Sequence, residues 1–332
     1  MGACFGGAMW ILAKLVVDGF AQFPAAVLTA FLVSHYRKRM GVRLIVRTLV
    51  LGAMSGMLVL SVTRLINWAS DLAAPGFGNA LAGAFVGAAI PEELVKFLLL
   101  YFIVREHKDC DSGGDLFCAA MLIGLGFAGL ENVLYLLQSG EDWINLGLMR
   151  GVLAVPAHTT FGCLMGVFAA RAYRGRAPGL NWALALIVPI AGHGLYDFPL
   201  MMWAELPNGQ FENADEIWRQ MFLLLMAVLA VSGIAIYAIC RHELVQVFLH
   251  EGQDPDLYLP ARWAVRPWRV VGLVFVIAST AVGAVGLWYV RSDEVRGAFL
   301  LAPSVFPHVF GWIMRLQPPG ESAAHASVAA RN

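Results

Sequence analysis

The chain has 332 residues, of which 59% are hydrophobic and only 14% are charged, and its mean hydropathy is +0.68. Soluble domains average about 45–50% apolar and about 25% charged residues. The composition therefore excludes an ordinary soluble globular protein and predicts a polytopic membrane protein. The formal net charge is zero, so no nucleic-acid partner is expected.

Apolar stretches recur along the chain, each long enough to cross about 30 Å of hydrocarbon as an α-helix. They predict an all-α, polytopic transmembrane helical bundle with a polar site inside the membrane. The eight predicted spans are residues 14–34, 44–66, 78–104, 115–137, 150–172, 181–204, 219–241 and 269–291. Basic residues concentrate in the odd-numbered connections, and the sixth connection is acidic. The positive-inside rule then predicts that both termini lie outside.

The chain divides into four predicted regions. Residues 1–13 are too short to cross a membrane and are interpreted as an interfacial segment or a misassigned start. Residues 14–250 hold the first seven spans and form the predicted core. Residues 251–316 hold the last span and an interfacial segment, and the tail 317–332 is rich in Pro, Gly, Ala and Ser and is predicted to be disordered.

The five cysteines are scattered, odd in number and without a CxxC pair. Such spacing indicates neither a disulfide framework nor a thiolate metal site. A buried thiol packs as a small hydrophobic group, so these cysteines are predicted to be core residues.

Ionisable and amide side chains stand deep inside four of the predicted spans. They are Glu92, Glu93 and Lys96 in PEELVK, Glu131 and Asn132 in GLENVLY, His158 in HTTFG, and His193 and Asp197 in HGLYD. An acidic or basic side chain at the centre of a bilayer costs about 2.5–3.5 kcal/mol. These residues are therefore expected to meet one another. Their positions along the spans predict one layer between the midplane and the outer leaflet, open to water from outside.

Helical spacing assigns partners within two of these groups. Lys96 lies three and four residues after the two glutamates, at the spacing of neighbours on a helix surface. Adjacent Glu92 and Glu93 point about 100° apart, so one can face a cavity while the other pairs with Lys96. His193 and Asp197 are four residues apart, which allows both to ligate one metal or allows Asp197 to orient His193.

The four motifs together resemble the PrsW family of intramembrane proteases, which is distantly similar to the CAAX-processing and bacteriocin-immunity proteases. The resemblance runs over about residues 20–240, with the motifs in the same order on successive helices. It implies that Glu92 and Glu93 are the paired catalytic glutamates and that His158 and His193 take the histidine roles. It also implies a membrane-anchored substrate similar to an anti-sigma factor, and the core 14–250 becomes a PrsW-like protease core.

Two hydrolytic mechanisms fit these residues. In the first, His158 and His193 hold Zn²⁺ with a carboxylate from Asp197 or Glu131, and one of the paired glutamates is the general base. Three protein ligands plus water is the usual arrangement of a catalytic zinc site. The chain has no HExxH motif, so the metal is an expectation and not a signature.

In the second mechanism no metal takes part. A glutamate and His158 activate the water, while His193 and Asn132 stabilise the oxyanion. Glu131 is a further candidate catalytic residue in either mechanism.

Other functional classes also place acids and histidines in a membrane. A proton-coupled transporter and a non-catalytic scaffold that binds transmembrane partners are the alternatives. The inverted repeats and paired broken helices of many transporters are not evident in the sequence. The favoured prediction is an intramembrane endopeptidase in a bacterial plasma membrane, with the lipid bilayer and a membrane-anchored protein as its partners.

Overall fold

The computed structural model describes residues 40–70, 76–139 and 143–205, together with isolated helical positions elsewhere. Within those three ranges every regular element is a helix and none is a strand. The predictions for residues 1–13, the first, seventh and eighth spans, and the tail lie outside the described residues, apart from those isolated positions.

Five helical runs correspond to the second through sixth predicted spans. They are α1 (Val42–Ser70), a composite run of α2 (Phe77–Ala82), π1 (Gly83–Ala89), α3 (Ile90–Leu98) and π2 (Leu99–Val104), then α4 (Gly113–Gln138), α5 (Trp143–Tyr173) and α6 (Pro178–Glu205). Stretches of α1, α4 and α6 are long and apolar enough to cross a membrane: Val42–Ser61, Gly113–Gln138 and Pro178–Met202. The all-helical class is thus confirmed for the described ranges, and the total of eight spans stays a prediction.

Local sequence accounts for where α4 begins and α5 ends. The Ser112 hydroxyl accepts a hydrogen bond from the Asp115 amide and donates one of 2.6 Å to the Asp115 carboxylate, which caps the start of α4. After α5, Gly175 adopts a φ of 74°, a conformation that costs glycine little. The amides of Gly175 and Arg176 then reach back to the carbonyls of Ala172 and Arg171, the Schellman ending of a helix.

Helix α4 lies at the centre of the described bundle, packed between α1 and α5. In its most apolar stretch 72% of the residues are buried, compared with 39% in α1 and in α6. Glycines allow α4 and α5 to approach each other closely. A Cβ atom added to Gly124 of α4 would lie 2.6 Å from the carbonyl oxygen of His158, and a Cβ atom added to Gly162 of α5 would lie 2.6 Å from the carbonyl oxygen of Ala120. Small residues at such crossings let helix backbones touch in a membrane. This contact sets the position of His158 against α4.

The composite run carries the paired glutamates just after a wide turn. Pro91 stands in the first turn of α3 and has no N–H to donate to the turn before it. That preceding turn is the π-helix π1, a form that is rare and frequently found at functional sites. The run therefore changes its hydrogen-bonding register immediately before Glu92 and Glu93.

Three of the cysteines fall on described residues, and all three are buried and outside any disulfide: Cys110, Cys118 and Cys163. All three belong to the main apolar core, as the sequence predicted. Cys110 lies in the connection before α4, where burial and then the neighbouring Asp115 and Asp111 raise the pKa of its thiol to about 12. The nucleophilic form of a cysteine is the thiolate, so Cys110 is an inert packing residue.

We expect Gly162→Ala to destabilise the protein, because the added methyl group would press against the backbone of α4. Overpacking of this kind costs about 1–3 kcal/mol of unfolding free energy. The measurement is thermal unfolding of the detergent-purified protein followed by tryptophan fluorescence. The control is Gly179→Ala in the first turn of α6, where a Cβ meets no atom within 4 Å. Equal melting temperatures for the two variants would contradict the close α4–α5 contact.

Candidate active site

The structure brings the polar residues of four helical runs into one cluster. Its members are Glu92, Glu93 and Lys96 from α3, Glu131 and Asn132 from α4, His158 from α5, and His193 and Asp197 from α6. All are buried except Glu131 and Asp197, which are partly exposed. Residues more than a hundred positions apart in the chain therefore share one polar site inside an apolar bundle.

The Glu93–Lys96 ion pair occupies the centre of the cluster. The Lys96 ammonium donates to Glu93 Oε1 over 2.7 Å, and neither side chain is more than 2% exposed. The same Glu93 oxygen lies 2.9 Å from His193 Nδ1, and Lys96 Nζ lies 3.2 Å from His158 Nδ1 and 3.6 Å from Glu92 Oε2. The ion pair thus connects the composite run to both histidines.

Each histidine is held from its other side by a carboxylate. His158 Nε2 lies 2.9 Å from Glu131 Oε2, and His193 Nε2 lies 3.1 Å from Asp197 Oδ2. Both Nε2 atoms therefore face an outer acid and both Nδ1 atoms face the central ion pair, and His193 Nε2 also lies 3.9 Å from Glu92 Oε2. A carboxylate behind an imidazole fixes the orientation of the ring, as it does behind many metal-bound histidines.

Aromatic rings fix the remaining freedom of these side chains. Phe161 stacks on His193 with ring centroids 4.7 Å apart and planes 15° apart. The Lys96 ammonium sits 3.9 Å above the centre of the Phe127 ring, a favourable cation–π contact. The two imidazoles are themselves edge to face, with centroids 5.2 Å apart. The cluster is therefore packed and not merely polar.

Arg150 belongs to the site although the sequence motifs do not include it. Its Nη2 donates to Glu131 Oε2 over 2.6 Å and its Nε donates to Asn132 Oδ1 over 3.1 Å. The guanidinium also lies 3.7 Å from the centre of the Tyr135 ring. The signal that could have found it is a lone arginine at the predicted outer end of a span, where the positive-inside rule does not expect basic residues.

The ionisable side chains of the cluster include more acids than permanent cations. Four carboxylates, those of Glu92, Glu93, Glu131 and Asp197, stand against two permanent cations, Lys96 and Arg150. If all the acids are ionised, two negative charges remain beyond Lys96 and Arg150. A second ring proton on His193, which has a carboxylate oxygen beside each ring nitrogen, would offset one of these charges. A divalent cation would offset both while His193 stays neutral, and buried charges require such compensation.

Donor atoms for a metal ion are also present. Glu92, Glu93, His158 and His193 each offer one ligand atom, and these atoms all lie within 4.8 Å of one another. Glu92 Oε2 and Glu93 Oε2 are buried and find no hydrogen-bond donor within the described part of the chain. Imidazole nitrogens with carboxylate oxygens are a usual donor set for Zn²⁺. We call these four residues the metal quartet; Asp197, which lies behind His193, is not a member.

Two cavities meet at this cluster. One of about 310 Å³ is lined by Gly56 of α1, Gly83 and Gly87 of π1, and Met201, among others. The other, of about 290 Å³, is lined by the polar side chains Arg150, His158, His193 and Asp197 together with apolar neighbours. Glu92, Glu131 and Tyr135 line both cavities, whereas Glu93 lines neither. Of the paired glutamates, Glu92 is therefore the one that a substrate can reach.

Comparison with known proteins identifies one family. The family described as PrsW family intramembrane metalloprotease matches residues 41–234, more than half of the chain. All four motifs and Arg150 lie within the matched segment.

Several curated relatives carry the name Protease PrsW. The protein of Halalkalibacterium halodurans is 32% identical over 162 residues, which are 48% of this chain and 72% of the relative. That of Oceanobacillus iheyensis is 29% identical over 53% of this chain and 79% of its own length. That of Bacillus subtilis is 32% identical over 37% of this chain and 56% of its own length. No solved structure matches the chain significantly.

We expect Arg150→Met to lower the unfolding free energy by about 1.5–3 kcal/mol, because hydrogen bonds to a charged group are lost and Glu131 keeps an uncompensated charge. Adding Glu131→Gln removes that charge, so the double variant should recover much of the loss. Chemical unfolding of the two single variants and the double variant in detergent measures the coupling. Strictly additive effects would show that the two side chains do not stabilise each other.

Proposed function

The chain belongs to the PrsW family of intramembrane metalloproteases and is an intramembrane endopeptidase. We propose that its active site is the polar cluster that contains the metal quartet. The reaction we propose is hydrolysis of a peptide bond in or near the membrane segment of a membrane-anchored protein. The observation that carries the proposal is the convergence of two acids and two imidazoles, from three separate helices, within 4.8 Å. Family membership favours this function over the transporter and the scaffold.

We propose Glu92 as the general base. It lines both cavities, and its Oε2 finds no hydrogen-bond donor within the described residues, so it is free to take a proton from water. As the water oxygen bonds to the scissile carbonyl carbon, Glu92 takes the proton. It then delivers that proton to the amide nitrogen as the C–N bond breaks. Glu93, enclosed between Lys96 and His193, has a holding role instead.

His158, His193 and Glu93 are the residues we propose to hold the metal ion, with Glu92 next to them. When bound, a divalent cation such as Zn²⁺ supplies a Lewis acid that polarises the carbonyl and eases the ionisation of water. The protein contributes the orientation: Glu131 and Asp197 hold the Nε2 sides of the two imidazoles so that both Nδ1 atoms face the centre. This makes Asp197 a positioning residue in place of the predicted direct ligand.

Glu131 and Asn132 are proposed to act through Arg150. Glu131 Oε2 receives one hydrogen bond from Arg150 and faces His158, and Asn132 Oδ1 receives a second hydrogen bond from Arg150. The metal-free alternative needs Asn132 as an oxyanion donor, yet Asn132 is buried behind Arg150 and lines neither described cavity. The geometry thus favours the metal-dependent mechanism.

The two cavities suggest how substrate and water reach Glu92. We propose that an extended peptide lies in the larger cavity, against the glycines of π1, where no side chain keeps a second backbone away. Water enters through the second cavity, whose lining includes Arg150 and Asp197. A membrane-anchored substrate similar to an anti-sigma factor fits this arrangement, since its juxtamembrane segment reaches the site from the bilayer. We propose that the protein lies in a bacterial plasma membrane with both termini outside.

We expect Glu92→Gln to lower the cleavage rate by roughly 100-fold or more, because general acid–base catalysis typically contributes 10²–10⁴-fold. The variant should retain its metal, since Glu92 is proposed as base and not as an essential ligand. Fragments of membrane proteins are compared in cells carrying either version, and metal content is measured on purified protein. Glu106→Gln is the matched control, because Glu106 is an exposed acid that pairs with Arg105 outside the site. Unimpaired cleavage by Glu92→Gln would refute the proposed base.

We expect His193→Ala to lose the bound metal, because its Nδ1 is one of the inward-facing nitrogens. Elemental analysis of protein purified without chelator gives the metal-to-protein ratio. His107→Ala serves as control, since that imidazole lies in the connection before α4 and accepts a hydrogen bond from the Asp109 amide. Stoichiometric metal that survives the His193 substitution would exclude His193 as a ligand.

A further inference from the structure

The Lys96 ammonium lies among the donor atoms of the metal quartet. Its Nζ is 2.7 Å from Glu93 Oε1, 3.2 Å from His158 Nδ1 and 3.6 Å from Glu92 Oε2. The side chain is buried over its whole length and rests on the Phe127 ring. The ammonium therefore contacts three of the four residues that are proposed to surround a metal ion.

At His158, the ammonium and a metal ion would need the same ring nitrogen. An ammonium group has only donors, so the His158 Nδ1 that faces Lys96 is an acceptor carrying a lone pair. The His158 Nε2 faces the Glu131 carboxylate and is the N–H side of the ring. Imidazole binds metals through a ring lone pair, and the lone pair of this tautomer points at Lys96. One lone pair cannot bind the ammonium and a metal ion at the same time.

Glu93 leads to the same conclusion. Its Oε1 accepts from Lys96 and lies 2.9 Å from His193 Nδ1, so the oxygen that faces His193 is already engaged with a cation, and only Oε2 lacks a hydrogen-bond donor among the described residues. A divalent ion placed beside the ammonium would also be repelled, and at this depth little solvent screens the repulsion. Metal binding through His158 therefore requires the ammonium to leave His158 Nδ1 and to move away from the ion.

We propose that Lys96 is a built-in cation that occupies the metal quartet of the metal-free enzyme, and that the ammonium and a divalent metal ion occupy it alternately. This inference rests on the metal-dependent form of the proposed function. It predicts that the four ionisable side chains can stay buried in the apolar bundle without a metal, because the Lys96 ammonium offsets part of the charge of Glu92 and Glu93. It also makes Lys96 a determinant of metal affinity and not only a structural ion-pair partner.

Zn²⁺ binding to chelator-stripped, full-length protein in detergent tests the proposal. The titration is followed by calorimetry for wild type, Lys96→Met and Lys96→Arg. We expect Lys96→Met to bind Zn²⁺ at least tenfold more tightly than wild type, because the competing cation is gone. Lys96→Arg keeps a cation at the quartet and should gain no affinity. A Lys96→Met protein that binds Zn²⁺ no better than wild type, or no binding by any variant, would overturn the proposal.

Arg150→Met is the charge-matched control. It removes one positive charge from the same network, but Arg150 contacts Glu131 and Asn132 and no member of the quartet in the described structure. We expect its Zn²⁺ affinity to rise less than tenfold. A gain as large as that of Lys96→Met would mean that net charge alone governs binding, which would also overturn the proposal.

Thermal unfolding provides a second readout without proteolysis. Stripped Lys96→Met should melt below stripped wild type, because Glu93 loses its partner, and added Zn²⁺ should raise its melting temperature more than that of wild type. If this variant does not fold without metal, Lys96→Gln, which offers Glu93 a neutral donor, replaces it with the same expected direction. Neither the Zn²⁺ titration nor the melting experiment involves cleavage. A negative result in either one therefore does not affect the Glu92→Gln test of the general base, and unimpaired cleavage by Glu92→Gln does not affect the Zn²⁺ binding result.

Discussion

The buried ion pair between Lys96 and Glu93 is the contact on which the rest of this structure depends. An isolated charge inside a bilayer is costly, and an ion pair removed from water is tolerated only when further hydrogen bonds satisfy its remaining atoms. Here those hydrogen bonds come from imidazoles on two other helices. The need to compensate these buried charges therefore dictates how α3, α5 and α6 are arranged around the proposed active site.

Backbone packing makes that arrangement possible. The imidazole of His158 reaches the centre because α4 and α5 touch at Gly124 and Gly162, where any side chain would collide with a carbonyl oxygen. The composite run contributes differently, since Pro91 and the wide turn π1 interrupt the regular helix just before the acids. Glycines thus serve two purposes in this protein: they bring helices together around the site, and in π1 they line the cavity beside it.

The site has an inner and an outer layer with different tasks. The inner layer consists of the metal quartet and Lys96, in which the Nδ1 atoms of both histidines face Glu93 or the ammonium. The outer layer consists of carboxylates and Arg150, which hold the imidazoles from behind. Outer partners of this kind tune a metal site almost as strongly as the ligands do. An ammonium and a metal ion competing for the inner layer would give the enzyme a folded metal-free state.

The sequence alone determined the membrane class, the polar set and the resemblance to the PrsW family, because hydrophobic length and local spacing are properties of the chain itself. It also located the five described helical runs to within a few residues, except that α5 begins at Trp143 and not at residue 150. The predicted division between the two glutamates holds in part, since Glu93 makes the close ion pair with Lys96 and Glu92 lines the cavities, but Glu92 also lies 3.6 Å from the same ammonium. Only the tertiary structure decided that Arg150 joins the site, that Asp197 stands behind His193, and which ring nitrogens face the centre. Periodicity gives the angle of a residue around its own helix, whereas the rotation of one helix against another follows from packing between segments that are distant in the chain.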